Sequence, residues 1–170
     1  MKQFWFGHYW WIILSLAVVS ILSICVASPK DSGALVSGVS ATAVSITFFT
    51  QQQKISEVRL FKELFTEFNH RYDKMNGDLE DLEAIHEELG SEHRKIIVDY
   101  FNMCAEEYLF RSRGYIPDEV WRSWCQGMLD YISVEPFRSI WNEEVAKGCY
   151  YGLSTEVVVA GAGVQARRYD

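Results

Sequence analysis

Residues 32–72 read SGALVSGVSATAVSITFFTQQQKISEVRLFKELFTEFNHRY. The stretch holds no proline, no glycine after Gly38 and no cluster of turn-forming residues, so nothing within it stops a helix. One helix of about 40 residues, about 60 Å long at 1.5 Å per residue, is expected. Its two parts differ chemically. Gly33 to Thr50 carries no charged side chain, whereas from Lys54 onward charges alternate with Val58, Phe61, Phe65, Phe68 and Tyr72. Those five recur at three- and four-residue steps and form an apolar stripe suited to packing on other helices.

Working outward toward the N-terminus, Phe4 to Ala27 is apolar apart from His8 and three serines. At about 36 Å it exceeds a hydrocarbon core of about 30 Å, and Gly33 to Thr50, at about 27 Å, is short but workable. Ser28-Pro29-Lys30-Asp31-Ser32 reads as a tight polar turn. The expectation is a two-helix transmembrane hairpin with spans 4–27 and 33–50. Phe4, Trp5, Phe6, Tyr9, Trp10 and Trp11 would share one interfacial belt with Phe48 and Phe49. Lys2 precedes the first span and Lys54, Arg59 and Lys62 follow the second, so the positive-inside rule places both termini in the cytoplasm. The competing reading is a secretory signal cleaved after Ala27, disfavoured by the long run and the second span behind it. Gly33, Ser37, Ala41 and Ser45 recur every four residues, a small-residue stripe for close helix packing within the chain or between copies.

Toward the C-terminus the pattern predicts an all-α cytoplasmic bundle of about five helices over 51–150. Asn76-Gly77 is expected to stop the long helix, and Leu79, Leu82, Ile85 and Leu89 mark a short second one. Ser91 is expected to cap a third, with Ile97, Phe101, Cys104 and Tyr108 inward and Gly114 as its stop. Pro117-Asp118-Glu119 opens a fourth, with Trp121, Trp124 and Met128 inward, and Pro136 a fifth carrying Phe137, Ile140 and Trp141. Residues 151–170 show no helical period and are expected to be loosely ordered; Val157-Val158-Val159 could form a strand, but no partner strand is visible.

The chain has 170 residues, 16 Lys and Arg, 23 Asp and Glu, and a formal charge of −7. Setting aside Lys2, Lys30 and Asp31 leaves 14 basic and 22 acidic residues after Gln53, a charge of −8. That field opposes nucleic-acid binding, which draws its affinity from phosphate neutralisation. The cysteines (Cys25, Cys104, Cys125 and Cys149) make neither a disulfide framework nor a zinc motif.

No residue set calls for a metal or cofactor, and no catalytic constellation is apparent. Val157 to Ala166 imitates a dinucleotide-binding fingerprint but leaves four residues where a helix and a second strand are required. His86 and His93 flank Gly90 and read as surface histidines. Glu107 is expected to pair with Arg111 one turn on. Asp78, Glu80, Asp81 and Glu83 read as a solvated helix start, or as a face for a basic partner. Asn69 to Tyr72 is a polar cluster suited to capping, or to a partner or small ligand, Asn69 and Arg71 being its candidate contacts.

Three stretches carry a resemblance: Leu60 to Tyr72, Tyr100 to Tyr108 and Gly114 to Trp121. They resemble a broad group of uncharacterised bacterial membrane proteins with N-terminal membrane helices and a small helical cytoplasmic domain. The layout is also similar to the two-span membrane effectors of retron-type anti-phage systems. The resemblance implies a non-enzymatic inner-membrane protein acting through protein contacts, with the lipid bilayer, further copies of itself or a cytoplasmic protein as partners. It implies no catalytic residues. A tethered sensor or scaffold, and an enzyme with a site around His93, Glu106 and Glu107, are the alternative expectations.

Overall fold

Apolar residues three and four apart, bounded by glycine and proline, build five helices in the computed structural model, which describes residues 12, 15–23, 32–83 and 89–163. They are α1 (Ser32–Glu83), α2 (Ser91–Ser112), α3 (Asp118–Ile132), α4 (Phe137–Ala146) and α5 (Thr155–Ala162). Residues 15–23 are also helical, and no strand occurs among the described residues. The chain divides into two units, Met1–Arg59 and Leu60–Asp170.

In the first unit, the transmembrane hairpin expected from the sequence is corrected. Among the described residues no helix is long and apolar enough to cross a membrane. Gly33 to Thr50 is helical, but it is diluted by two glycines and six hydroxyl side chains and runs unbroken into Gln51-Gln52-Gln53-Lys54. Five of those hydroxyls, on Ser37, Thr42, Ser45, Thr47 and Thr50, donate to the carbonyl four residues back at 2.8–2.9 Å. Of the expected first span, 4–27, only 12 and 15–23 are described. The two-pass inner-membrane placement rested on both spans and falls with them.

In the second unit, α1 runs through Asn76-Gly77 to Glu83, so Leu79 and Leu82 belong to it rather than to a separate helix. A glycine without positive φ weakens a helix without ending it, and tertiary contacts decide: Leu79 and Leu82 are 0% and 2% exposed. No atom lies within 4 Å of where a Cβ on Gly77 would stand. Gly77→Ala is therefore expected to stabilise the domain by about 0.5–1 kcal/mol, read as a higher urea midpoint at unchanged m-value.

Helix α2 begins with Gly90 at its N-cap and no side-chain cap, so Ser91 is the first helical residue and not the cap. It ends at Gly114, whose φ of 83° lets Tyr115 N–H reach Phe110 O at 3.1 Å. Arg111 spans the turn to α3, donating to Ile116 O at 3.0 Å and pairing with Asp118. Helix α4 lies against α2 and α3, and α5 lies against α3. Trp141 of α4 is completely buried. It meets Phe101 of α2 at 4.9 Å and Tyr150 at 5.7 Å, and donates from Nε1 to Thr155 Oγ1 at 2.8 Å.

The tail is the second correction. Residues 155–162 form α5, capped by Ser154 Oγ, which accepts from Val157 N–H, and closed by Gly163 at φ 72°. Val158 and Ala162 are buried. The expectation of a strand failed because β-branched residues are weak evidence beside a cap at each end and an apolar face to cover. Residues 164–170 lie outside the described ones. The glycine of the false fingerprint has a packing role: a Cβ on Gly161 would stand 2.5 Å from Cys125 Sγ and 2.6 Å from Trp121 Nε1. Gly161→Ala is expected to cost about 1–3 kcal/mol through overpacking, and to speed amide exchange in α5 before the other helices.

Candidate functional site

Helices α1, α2 and α3 of the second unit enclose a cavity of about 220 Å³. Each helix contributes residues at helical spacing: Phe68, Asn69 and Tyr72 from α1; Tyr100, Met103 and Glu107 from α2; Ser123, Trp124, Gly127, Met128 and Tyr131 from α3. Phe68, Tyr100, Met103, Glu107, Met128 and Tyr131 are buried and form the floor, while Ser123 and Gly127 are exposed at the rim. No atom lies within 4 Å of where a Cβ on Gly127 would stand. The rings touch in series: Trp124 lies 5.8 Å from Phe68, and Tyr100 lies 4.9 Å from Tyr131 and 6.3 Å from Tyr72. The Tyr72 and Tyr131 hydroxyls are 3.3 Å apart.

Glu107 is the chemical centre of this cavity. It is 5% exposed, and its carboxyl has no hydrogen bond or ion pair among the described residues. Desolvation, reinforced by the Glu106 charge and opposed by Arg71, pushes its pKa up to about 8. At neutral pH it is mostly a protonated acid, able to donate one hydrogen bond and to accept others. The expected pairing of Glu107 with Arg111 does not form: Arg111 is committed to Ile116 and Asp118. Its neighbour Glu106 instead holds Arg71 at 2.5 Å and 3.4 Å, and the guanidinium lies 5.9 Å from the Phe68 ring centre. The pair neutralises itself beside the cavity.

The structure places the other sequence-derived candidates as follows. Asn69 lines the cavity, its amide donating to Phe65 O at 2.6 Å. Arg71 is spoken for by Glu106 and does not line the cavity. Asp78, Glu80, Asp81 and Glu83 are exposed at the end of α1, not at a helix start, because the helix runs through Gly77. The charges of Glu83 and Glu80 join burial in raising the Tyr131 phenol, so the acid run is felt at the cavity. Gly33, Ser37, Ala41 and Ser45 lie exposed in the first unit, Ser37 and Ser45 bonded back to their own helix.

His86 lies outside the described residues. His93 is half-buried, its Nδ1 shielded and without a partner among them. It stands 14 residues before Glu107 on one helix, about 21 Å away along the axis, so the two share no site. Cys104 and Cys125 are buried. Burial pushes the Cys104 thiol well up and that of Cys125 to about 12, which leaves neither a ready nucleophile. Among the described residues no group of three or more His, Cys, Asp or Glu side chains could hold a metal ion.

Sequence reasoning missed the roles of Glu107, Tyr100 and Tyr131. One signal was present: Tyr100, Cys104 and Glu107 follow at four and three residues, which puts a carboxyl on the apolar face of α2. The chain matches no protein-family model, no curated protein and no solved structure.

Proposed function

We propose that the helical domain is a non-catalytic binding module that holds a small ligand in the cavity beside Glu107 and signals its occupancy through protein contacts. The observation that carries this reading is the unpartnered Glu107 carboxyl, 5% exposed, facing an aromatic-lined cavity that opens at Ser123 and Gly127. A cavity of about 220 Å³ suits a small ligand rather than a drug-sized one. A single carboxyl among aromatic walls, with the nearby Cys104 and Cys125 thiols held protonated by burial, supports binding over catalysis. Asn69 and Tyr72, singled out in the sequence, fall on its wall.

The test is a thermal-shift screen of small cationic, anionic and neutral compounds against the parent chain and Gly127→Leu, which fills the rim. Ligands are expected to raise the melting temperature of the parent and to leave the filled variant unmoved. A parent that responds to no compound refutes the reading.

A further inference from the structure

We propose that the ligand of this cavity is a small organic cation, an ammonium group on an apolar body, paired with the Glu107 carboxylate and surrounded by the rings of Tyr72, Tyr100, Trp124 and Tyr131. The inference rests on the binding-module reading above and adds the chemical class.

Four features converge on it. Five aromatic side chains line the space, those of Phe68, Tyr72, Tyr100, Trp124 and Tyr131, and among the described residues no lysine, arginine or histidine does. Ring faces carry the negative end of the aromatic quadrupole and attract a desolvated cation. The one carboxyl in the described lining makes no ion pair: the guanidinium whose charge reaches it, that of Arg71, is bonded to Glu106. The acids at the end of α1 reach Tyr131 with their field, which draws cations toward the cavity and repels anions.

Binding moves one proton. At neutral pH the Glu107 carboxyl gives its proton to solvent as the ammonium enters, and a carboxylate–ammonium pair replaces the neutral acid. Beside burial, the groups acting on Glu107 are Arg71 of α1 and Glu106 of its own helix; its charge in turn is felt by Tyr100 and Cys104 of that helix and by Cys125 of α3, and Tyr72 and Tyr131 share the cavity lining. Arg71 is charged throughout, and burial lifts Tyr100, Tyr131, Cys104 and Cys125 still further above their ordinary values, which already lie above neutrality. The proton released near pH 8 therefore belongs to Glu107.

The experiment titrates the full chain with benzyltrimethylammonium, with choline and with dimethylbutanol, the uncharged carbon analogue of choline. Calorimetry and tryptophan fluorescence are read at pH 6.5 and 8.5. A cation is expected to bind at least about tenfold tighter at the higher pH, because only the ionised carboxyl pairs with it. Dimethylbutanol is expected to bind at least about tenfold more weakly than choline. Glu107→Gln, which keeps the shape and the neutral hydrogen bonds, is expected to lose cation binding and its pH dependence while unfolding as cooperatively as the parent. Three results overturn the inference: an uncharged compound that binds as well and weakens as pH rises, a cation that binds the glutamine variant equally, or no binding by either cation. The first of these leaves the binding module standing with a neutral ligand. The thermal-shift screen decides the module separately.

Discussion

Between about pH 4.5 and pH 8 the ligand-free domain is expected to lose stability steadily, by roughly 1 kcal/mol per pH unit, and Glu107→Gln is expected to abolish that loss. The sign follows from proton binding. In the unfolded chain Glu107 ionises near the ordinary value for glutamate, whereas in the fold burial holds its proton up to about pH 8. Through this window the folded state binds one proton more than the unfolded state, so raising the pH favours unfolding. The contribution is fully present below about pH 4.5, falls through the window and is flat above it. Over the window the total is on the order of 4 kcal/mol, a large share of a typical domain's stability. Glutamine copies the protonated acid at every pH. The variant should therefore match the parent near pH 5 and exceed it near pH 9, as read from urea denaturation at both values. At the acid end Glu144, held below the usual carboxylate range by Lys147 and Arg94, works in the opposite direction, losing stability as pH falls. A parent whose stability is level from pH 5 to pH 8 would mean that Glu107 is solvated or paired, and the cavity reading would lose its centre.

Trp141→Ala is expected to cost about 3–5 kcal/mol and to loosen α5 along with α4. The side chain is completely buried and joins three parts of the fold: Phe101 of α2, Tyr150 before α5, and Thr155 in the first turn of α5 through the indole N–H. Truncation leaves a void among rings that have no room to collapse, and it leaves the Thr155 hydroxyl without its donor. Trp141→Phe keeps most of the ring packing and should cost distinctly less. Equilibrium denaturation gives the magnitude, and amide exchange locates the damage at α4 and α5. Exchange that rises only within α4 would show that α5 is held by α3 alone, through the contact at Gly161.

Much of the bundle was legible because it rests on local chemistry. Pro117-Asp118-Glu119 and Gly114 mark real helix boundaries, and Phe137, Ile140 and Trp141 mark a real inward face. Asn76-Gly77 misled because a glycine lowers helix propensity by only about 1 kcal/mol, less than burying Leu79 and Leu82 returns. Val157-Val158-Val159 misled because strand propensity records a fit to a pleated surface, and none is present among the described residues. The apolar stretches before Gln51 suggested two membrane spans from their length, their freedom from charge and their aromatic ends, but the hydroxyls and glycines between the apolar residues lower the apolarity of Gly33 to Thr50.

By itself the sequence determined that the domain after Gln53 is helical, acidic and rich in buried aromatics, since periodicity, charge and caps are properties of consecutive residues. Only the tertiary structure decided that burial holds the proton of Glu107 while Glu106, one residue earlier, is paired with Arg71. Adjacent residues on a helix point about 100° apart, and which of the two meets Arg71 and which meets Tyr72 and Tyr131 depends on where α1 and α3 come to lie. Burial and charge act through space, so the chemistry of a carboxyl is set by neighbours that its own segment does not contain.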